Sequence, residues 1–448
     1  MAEGCPALDW AASGGMALTG YASGLPVLSP APAFALLERV ADELAAATAE
    51  AGTAVHANPA ELLTGRAALA GFTRHGRVSA GGSSRLLRAA DGWCAVTLSR
   101  ADDVDAVPAI LGMLGADVPG VANADGAWAA LTEAAAGQPG GALADAAQLL
   151  GVPAAALPAA ALPAGALPGA AAVWPPWLVS RIAAPTWPSP PAARAPLSLS
   201  GALVVDLSSM WAGPLCGQLL GFAGARVVKV ESPARPDGAR AGNASFFDWL
   251  HAGHQSVAID FRTRSGRAAL SALVAAADVV IEASRPRALG HLGLAPEHLP
   301  HRDGQVWLSI TGYGRAEPAL VAFGDDAAAG GGLVGWTDGE PVFCADAVAD
   351  PLTGVCGALA VARSVAAGGG QLIDLSMQKV AAAFAAPSGI PACPGPHQVT
   401  GTAADALVTC GALGLRQPVL PPRRLMPTGR AADLGADTTA VLSGLLKD

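Results

Sequence analysis

The spacing of hydrophobic residues in the first third of the chain alternates between helix-like and strand-like patterns. Apolar residues recur every three or four positions over 33–51, which predicts an amphipathic helix with one buried face. Two short apolar runs within 85–98 flank Asp91 and Gly92, and this pattern predicts two strands joined by a turn. Residues 102–114 return to helical spacing and are predicted to form the next helix.

A more regular alternation begins at residue 202, where short apolar runs are separated by helical patterns. The predicted strands are 202–207, 226–230, 256–261, 278–282 and 306–310. Continuous apolar runs are expected of strands covered by helices on both faces, so the pattern predicts an α/β fold with a mostly parallel sheet. Ligands of such sheets bind beyond the carboxyl ends of the strands, which here carry small and polar residues.

An alanine- and proline-rich segment separates these two parts of the chain. It covers 138–196, and from Pro153 to Pro168 a proline recurs at every fifth residue. Prolines at this density would break a membrane-spanning helix repeatedly, so the uncharged stretch 146–180 is not expected to cross a membrane. The repeated ALP units favour an extended, polyproline-like backbone, and the segment is interpreted as a linker.

The composition excludes several classes of function. Charged residues make up 14% of the 448 residues and the net charge is −9, so neither a nucleic acid nor an anionic membrane is expected as a partner. Seven cysteines without a CxxC pair, and a start that lacks a secretion signal, predict a cytoplasmic protein with reduced thiols. His251 and His254 have no cysteine or carboxylate nearby in the sequence to complete a zinc site, so no metal is expected.

Five sequence blocks carry a resemblance to a known family. Residues 204–240, VVDLSSMWAGPLCGQLLGFAGARVVKVESPARPDGAR, resemble the N-terminal segment of family III coenzyme A transferases, the CaiB/BaiF type. The other blocks follow in the family's order at 251–270, 277–294, 306–314 and 368–377. The resemblance is strong over about 200–385, and the superfamily also contains α-methylacyl-CoA racemases.

The resemblance implies a domain organisation. Residues 197–385 would form a Rossmann-like, CoA-binding domain with the catalytic loop, and 1–137 resemble a degenerate copy of the family's small α+β domain. The linker 138–196 would lie between them, and 386–448 would form a proline-rich return and a C-terminal helix. Relatives form interlocked dimers, so a homodimer is expected.

The family resemblance also implies a nucleophile. In these enzymes an aspartate attacks an acyl-CoA thioester and carries the CoA between two carboxylic acids through an anhydride and an aspartyl-CoA thioester. That aspartate follows a motif similar to the TGYG at 311–314, and the corresponding window of this chain contains Asp325 and Asp326. Asp325 fits the family spacing better and is expected on an exposed, glycine-flanked loop, while Asp326 is the fallback. One of the two could instead cap a helix that begins near Ala327.

The CoA contacts implied by the resemblance lie after the predicted strands. They are Ser209, Met210, Trp211, Ala212, Ser284, Arg285, His291 and Gly312. Arg285 and His291 would face phosphates, although an ordinary surface position suits both side chains, and Trp211 could be a core aromatic instead. Asp350 is expected to be the N-cap of a helix. Acyl-CoA and a carboxylic acid are the implied substrates, with no permanently bound cofactor.

Two alternatives remain open at this point. Racemases of the superfamily carry a histidine directly before the aspartate, whereas this chain has Gly324 before Asp325. Glycine cannot transfer a proton, which argues against a racemase unless His251 or His254 folds into the site. The other alternative is a non-catalytic relative that binds CoA weakly or not at all.

Overall fold

The structure is a computed structural model, and it describes residues 4–28, 32–116, 121, 123–159, 173–182, 197–284, 290, 293–297, 299, 301–386, 389–390, 393 and 395–444. The strands are β1 Ser84–Arg88, β2 Trp93–Thr97, β3 Ala154–Ala156, β4 Trp177–Arg181, β5 Leu203–Asp206, β6 Arg226–Glu231, β7 Gln255–Ala258, β8 Val279–Glu282, β9 Val306–Thr311, β10 Val334–Thr337, β11 Glu340–Phe343, β12 Gln371–Ser376, β13 His397–Gly401, β14 Ala406–Cys410 and β15 Leu415–Pro418. The helices are α1 Pro6–Ala12, α2 Ala33–Ala51, α3 Pro59–Ala70, α4 Ala101–Asp105, α5 Val107–Met113, α6 Ala124–Ala136, α7 Gly140–Leu149, α8 Ala212–Phe222, α9 Ala244–His251, α10 Arg264–Ala276, α11 Gly324–Gly330, α12 Ala349–Ala366, α13 Met377–Ala385 and α14 Thr438–Gly444.

Seven strands form the central sheet in the order β4-β12-β9-β8-β5-β6-β7. All neighbouring strands are parallel except β4, which pairs antiparallel with β12 at one edge. β5 and β8 are buried along their whole length, as expected for apolar strands with helices on both faces. The predicted α/β fold class with a mostly parallel sheet is confirmed, and the carboxyl ends of β5, β8 and β9 lie side by side at one edge.

The first 70 residues belong to the main core rather than to a separate small domain. The helix predicted over 33–51 is confirmed as α2, and it packs against α12. Trp10, Leu37 and Leu63 lie in the same hydrophobic cluster as Leu215 of α8 and Leu359 of α12. The expectation that 1–137 is wholly small-domain-like is therefore corrected, because apolar faces of α1, α2 and α3 are buried against the Rossmann-like half.

The small domain is instead built around the antiparallel sheet β1-β2-β3. The predicted hairpin is confirmed, with Leu86 opposite Ala95 across the two strands. The single helix predicted over 102–114 is two short helices, α4 and α5, on either side of Ala106. Pro108 at the start of α5 has no N–H to continue the hydrogen bonds of α4, which explains the break.

The predicted linker, and the proline-rich return before the expected C-terminal helix, contain regular structure that the sequence did not indicate. Within 138–196, α7 buries Leu143 and Ala147 in the core of the small domain, β3 joins its sheet, and β4 joins the central sheet. Residues 160–172 and 183–196 of the predicted linker lie outside the described residues. Within 386–448 the strands β13, β14 and β15 form a three-stranded sheet, followed by α14. In the described ranges, no helix combines the length and the apolar character needed to cross a membrane.

Candidate active site

Asp325 lies where the small domain meets the central domain. It is in the first turn of α11 and is 8% exposed, so the expectation of an exposed loop carboxylate was wrong. Ser84 Oγ of β1 donates a hydrogen bond to Asp325 Oδ2 at 3.0 Å, and the backbone N–H of Ala347 donates to Oδ1 at 3.1 Å. The hairpin of the small domain therefore covers this carboxylate and holds it in one orientation.

Burial and a neighbouring negative charge perturb the acidity of Asp325. Burial raises its pKa to about 6, and the nearby Asp346 adds to the rise. The Arg66 guanidinium and the hydroxyl groups of Ser84 and Ser79 lower the pKa and offset part of this effect. Asp325 consequently takes up a proton just below neutrality and is mostly ionised at pH 7.

Asp326 caps a helix, which is the role that the sequence left open for one of the two aspartates. Its Oδ1 accepts hydrogen bonds from the backbone N–H of Phe323 at 3.0 Å and from Thr97 Oγ1 at 2.9 Å, so it caps the start of α11. Its Oδ2 is buried without a hydrogen-bond partner among the described residues. Burial raises the pKa of Asp326 to about 8, and this carboxyl is therefore protonated at neutral pH.

Arg66 faces the carboxylates of Asp346 and Asp350. Arg66 of α3 donates from Nε to Asp346 Oδ2 at 2.8 Å and from Nη2 to Asp346 Oδ1 at 2.5 Å, a bidentate pair in which Asp346 is 1% exposed. The guanidinium carbon also lies 4.7 Å from the ring centroid of Trp211. Arg66 thus joins the N-terminal helices to the candidate site, a contact that no sequence motif predicted.

Asp350 completes a group that we call the carboxylate cluster: Asp325, Asp326, Asp346 and Asp350. Asp350 was expected to cap a helix, but Val348 is the N-cap of α12 and Asp350 is its second residue, so this expectation was wrong. Burial raises the pKa of Asp350 to about 7, while Arg66 and the backbone N–H of Gly324 lower it. The carboxylate of Asp350 lies beside Gly324.

Gly324 has no room for the histidine that racemases of the superfamily carry at this place. A Cβ atom on Gly324 would lie closer than 3.0 Å to both Asp350 Oδ2 and the carbonyl oxygen of Ala347. The other candidate histidines belong to a different part of the fold. His251 stacks on Phe247 with ring centroids 4.4 Å apart, and a Cβ atom on Gly221 of α8 would lie 3.5 Å from His254 Nε2.

The predicted CoA loop after β5 is held by a buried ion pair. Ser209 and Met210 are exposed, and Met210 has a left-handed backbone conformation with φ of 74°. The N–H of Met210 donates to Asp237 Oδ1 at 3.0 Å, and Asp237 Oδ2 lies 2.9 Å from Lys229 Nζ. This arrangement leaves the side chains of Ser209 and Met210 exposed at the carboxyl edge of the sheet.

The other predicted CoA residues differ in what they offer a ligand. Trp211 is 2% exposed and packs edge-on against Phe246 at 5.3 Å, as a core aromatic does, and Ala212 is buried at the start of α8. Ser284 is partly buried, directly after β8. Gly312 is buried, and its carbonyl accepts hydrogen bonds from Ser376 Oγ and the N–H of Gln378. Arg285 and His291 lie outside the described residues.

Sequence reasoning missed an acidic side chain at the end of β8. Glu282 is fully buried and accepts a hydrogen bond from Ser309 Oγ at 2.7 Å, and Arg315 Nη1 lies 3.5 Å from it. Burial raises the pKa of Glu282 to about 7. A carboxylate that ends an apolar strand was visible in the sequence, whereas Arg66 and Ser84 lie too far from the motifs to give any signal.

The fold and the carboxylate cluster define an α/β protein with a candidate acyl-group site, and comparisons with known proteins show what the chain is similar to. Residues 199–412 match the model of CoA-transferase family III. The chain is 34% identical over 211 residues to the succinate–glutarate CoA-transferase of Agrobacterium fabrum, covering 42% of this chain and 53% of that protein. It is 32% identical over 201 residues to the succinyl-CoA–D-citramalate CoA-transferase of Chloroflexus aurantiacus, covering 41% and 50%.

The chain thus spans about half the length of the curated relatives it matches. Among solved structures, it is similar to a CAIB/BAIF family protein from Brucella suis, with 28% identity, a TM-score of 0.40, and coverage of 47% of this chain and 65% of that one. The match of residues 199–412 to the family model confirms the resemblance to family III CoA transferases that the sequence blocks indicated.

Proposed function

We propose that this protein is a CoA transferase in which Asp325 carries CoA between two carboxylic acids. The observation that carries the proposal is the difference between two adjacent aspartates. Asp325 keeps some exposure and is mostly ionised at pH 7, whereas Asp326 is fully buried, caps a helix and keeps its proton. A carboxylate nucleophile must be ionised, so the difference in burial and protonation favours Asp325 over Asp326.

In the proposed reaction, the acyl group and then CoA are attached covalently to Asp325, and no other covalent group is needed. Its carboxylate oxygen attacks the thioester carbonyl of the donor, the C–S bond breaks, and CoA leaves as thiolate from an acyl-aspartyl anhydride. The thiolate then attacks the aspartyl carbonyl, which releases the donor acid as carboxylate and leaves an aspartyl-CoA thioester. The acceptor carboxylate repeats the two steps in reverse order, so acyl-CoA is formed and Asp325 returns to its ionised state.

The environment of Asp325 favours its covalent forms. Burial and the charge of Asp346 disfavour the ionised carboxylate, which is why its pKa is raised. The anhydride and the thioester are both neutral at this side chain, so the same environment stabilises them relative to the free carboxylate. The N–H of Ala347 already points at Asp325 Oδ1 and can donate to the oxyanion that forms there.

Substrate must reach Asp325 from the carboxyl edge of the central sheet. Ser84 of the β1–β2 hairpin bonds to the carboxylate, so the proposed attack requires this hairpin to move aside. We place CoA along Ser209, Met210, Ser284 and Gly312 and include Arg285 and His291 as candidates for its phosphates. The contact proposed for Trp211 and Ala212 is limited to their backbone, because both side chains are buried.

The substrates are an acyl-CoA and a carboxylic acid, with no permanently bound cofactor. Two relatives are named for succinate, glutarate and citramalate, which makes succinyl-CoA with a second dicarboxylic acid the first pair to test. Two observations support the cytoplasmic location expected from the sequence: the use of acyl-CoA, and seven cysteines that form no disulfide. The family resemblance supports a homodimer, and light scattering that returns the mass of one chain would contradict it.

Mass spectrometry of the protein after incubation with succinyl-CoA tests the nucleophile. Hydroxylamine should convert the aspartyl-CoA thioester to a hydroxamate, which fragmentation then localises to Asp325. The Asp325→Asn variant should show neither the hydroxamate nor CoA exchange. Asp326→Asn is the matched control and should show both, because an amide replaces a carboxyl that is already neutral. A hydroxamate on Asp326, or exchange that survives Asp325→Asn, would refute the assignment.

A further inference from the structure

Four potential metal ligands, one at residue 5 and three from 393–410, meet at one point. They are Cys5, Cys393, His397 and Cys410, and their Sγ and ring nitrogen atoms all lie within 4.8 Å of one another. Cys5 Sγ is 3.1 Å from His397 Nε2, and Cys393 Sγ is 3.4 Å from Cys410 Sγ. Cys5 and Cys410 are buried, and Cys393 and His397 are partly buried. Three thiols and one imidazole thus face a common centre.

We propose that these four side chains bind a structural zinc ion. Three cysteines and one histidine are a common ligand set for structural zinc, with Zn–S bonds of about 2.3 Å and Zn–N bonds of about 2.0 Å. A tetrahedron with such bonds places two sulfur atoms about 3.8 Å apart. The observed separation of Cys393 and Cys410 therefore needs to widen by only a few tenths of an ångström to receive the ion.

Backbone N–H groups around two of the sulfur atoms fit thiolates. Cys5 is the N-cap residue of α1, and the backbone N–H groups of Ala7 and Leu8 lie near its sulfur. The backbone N–H groups of Ala412 and Leu413, which follow β14, lie near the sulfur of Cys410. Donors of this kind compensate the negative charge that remains when three thiolates and one neutral imidazole bind a doubly charged ion.

The site is closed, which favours a structural over a catalytic role. All four coordination positions are supplied by the protein, so no position is left for substrate or for an activated water. The three cysteines would each lose a proton on binding, and His397 would bind as neutral imidazole. The role differs from that of the carboxylate cluster, which contains neither cysteine nor histidine.

The position of the ligands indicates what the zinc would hold together. Cys5 directly precedes α1, His397 begins β13 and Cys410 ends β14, so the ion would link the start of the described chain to the C-terminal sheet. From α1 the chain continues to Thr19, whose Oγ1 accepts a hydrogen bond from the N–H of Ala345. Ala345 directly precedes Asp346 of the carboxylate cluster. The zinc would thereby stabilise the packing of the N-terminal helices beside the candidate active site.

Metal analysis of the full-length protein tests the proposal without an activity assay. The protein is produced without a histidine tag, freed of loose metal by gel filtration, and analysed by plasma mass spectrometry, with one zinc per chain expected. Replacement of the zinc by Co²⁺ should give the visible absorption of a tetrahedral site and the near-ultraviolet charge-transfer bands of thiolate ligands. Removal of the zinc with 1,10-phenanthroline should lower the thermal unfolding temperature, and added zinc should restore it.

Single variants identify the ligands. Cys410→Ser and His397→Ala should lose the zinc, whereas Cys356→Ala should retain it because that buried thiol lies in α12 and not in the cluster. Wild-type protein that contains no zinc after incubation with Zn²⁺ would overturn the proposal, whether or not any variant folds. So would a Cys393–Cys410 disulfide in freshly isolated protein mapped without reductant, or zinc that remains in both ligand variants.

Discussion

Replacement of Arg66 by methionine gives the sharpest test of how the carboxylate cluster is held. The Arg66 side chain is 24% exposed and its partner Asp346 is 1% exposed, so the substitution leaves a buried carboxylate without its bidentate cation. Removal of one partner from such a buried pair costs about 3–5 kcal/mol of folding free energy. Methionine keeps much of the apolar stem against Trp211, so lost packing contributes little to the expected effect.

The same substitution should change the pH profile of CoA exchange. Arg66 lowers the pKa of Asp325, so its loss should move that pKa further up from about 6 and shift the acidic limb of the exchange rate to higher pH. Urea unfolding followed by tryptophan fluorescence measures the stability, and exchange rates between pH 5 and 9 measure the shift. The urea midpoint should fall while a stable fold remains at low urea.

Two controls distinguish the loss of the buried Arg66–Asp346 ion pair from a general effect of removing an arginine. Arg262→Met breaks an ion pair with Asp260 in which the Arg262 side chain is 75% exposed, and it should leave the urea midpoint unchanged. The double variant Arg66→Met with Asp346→Asn should recover part of the lost stability, because the orphaned charge is removed as well. If Arg66→Met unfolds at the wild-type urea concentration, the reasoning about the buried pair is refuted.

Four further predictions concern the same site. Gly324→Ala should destabilise the fold by about 1–3 kcal/mol in urea, because the new methyl group would overlap Asp350 and the Ala347 carbonyl; a neutral result would contradict the packing. The exchange rate of the wild type should rise as the pH passes through about 6, because Asp325 ionises there. A rate that instead rises near pH 4 would show that burial does not raise the pKa of Asp325. Burial raises the pKa of Asp326 from 3.8 to about 8, so the folded chain holds a proton that the unfolded chain has released between those values, and stability falls as the pH rises. Asp326→Asn removes this dependence, and its stability relative to wild type should therefore increase from pH 4 to pH 8; a constant difference would mean that Asp326 is ionised in the fold. Finally, a 2-methylacyl-CoA incubated with the protein in deuterium oxide should gain no α-deuterium above background, since Gly324 supplies no base; uptake that is lost in Asp325→Asn would establish a racemase instead.

The sequence by itself determined those strands and helices whose pattern of apolar residues matches the residues that they bury. The strands β5, β8 and β9 are continuous apolar runs, and α2 has the apolar face that it buries, so the α/β class followed directly from the pattern. The window that contains Asp325 and Asp326 also came from sequence, because the motif before it is local. Local spacing, however, could not choose which aspartate caps the helix and which one retains some exposure.

Only the tertiary structure decided what surrounds these residues. Arg66 and Ser84 reach Asp325 from more than 200 positions away in the sequence, because the N-terminal helices and the β1–β2 hairpin pack onto the central domain. Burial then raises the pKa of Asp325, Asp326 and Asp350, and burial is a property of packing rather than of any motif. The same holds for the four proposed zinc ligands. They contain no CxxC spacing, and Cys5 reaches His397 only because α1 packs against the C-terminal sheet. Contacts between residues distant in sequence leave no periodic signal, and they decide the chemistry of both sites.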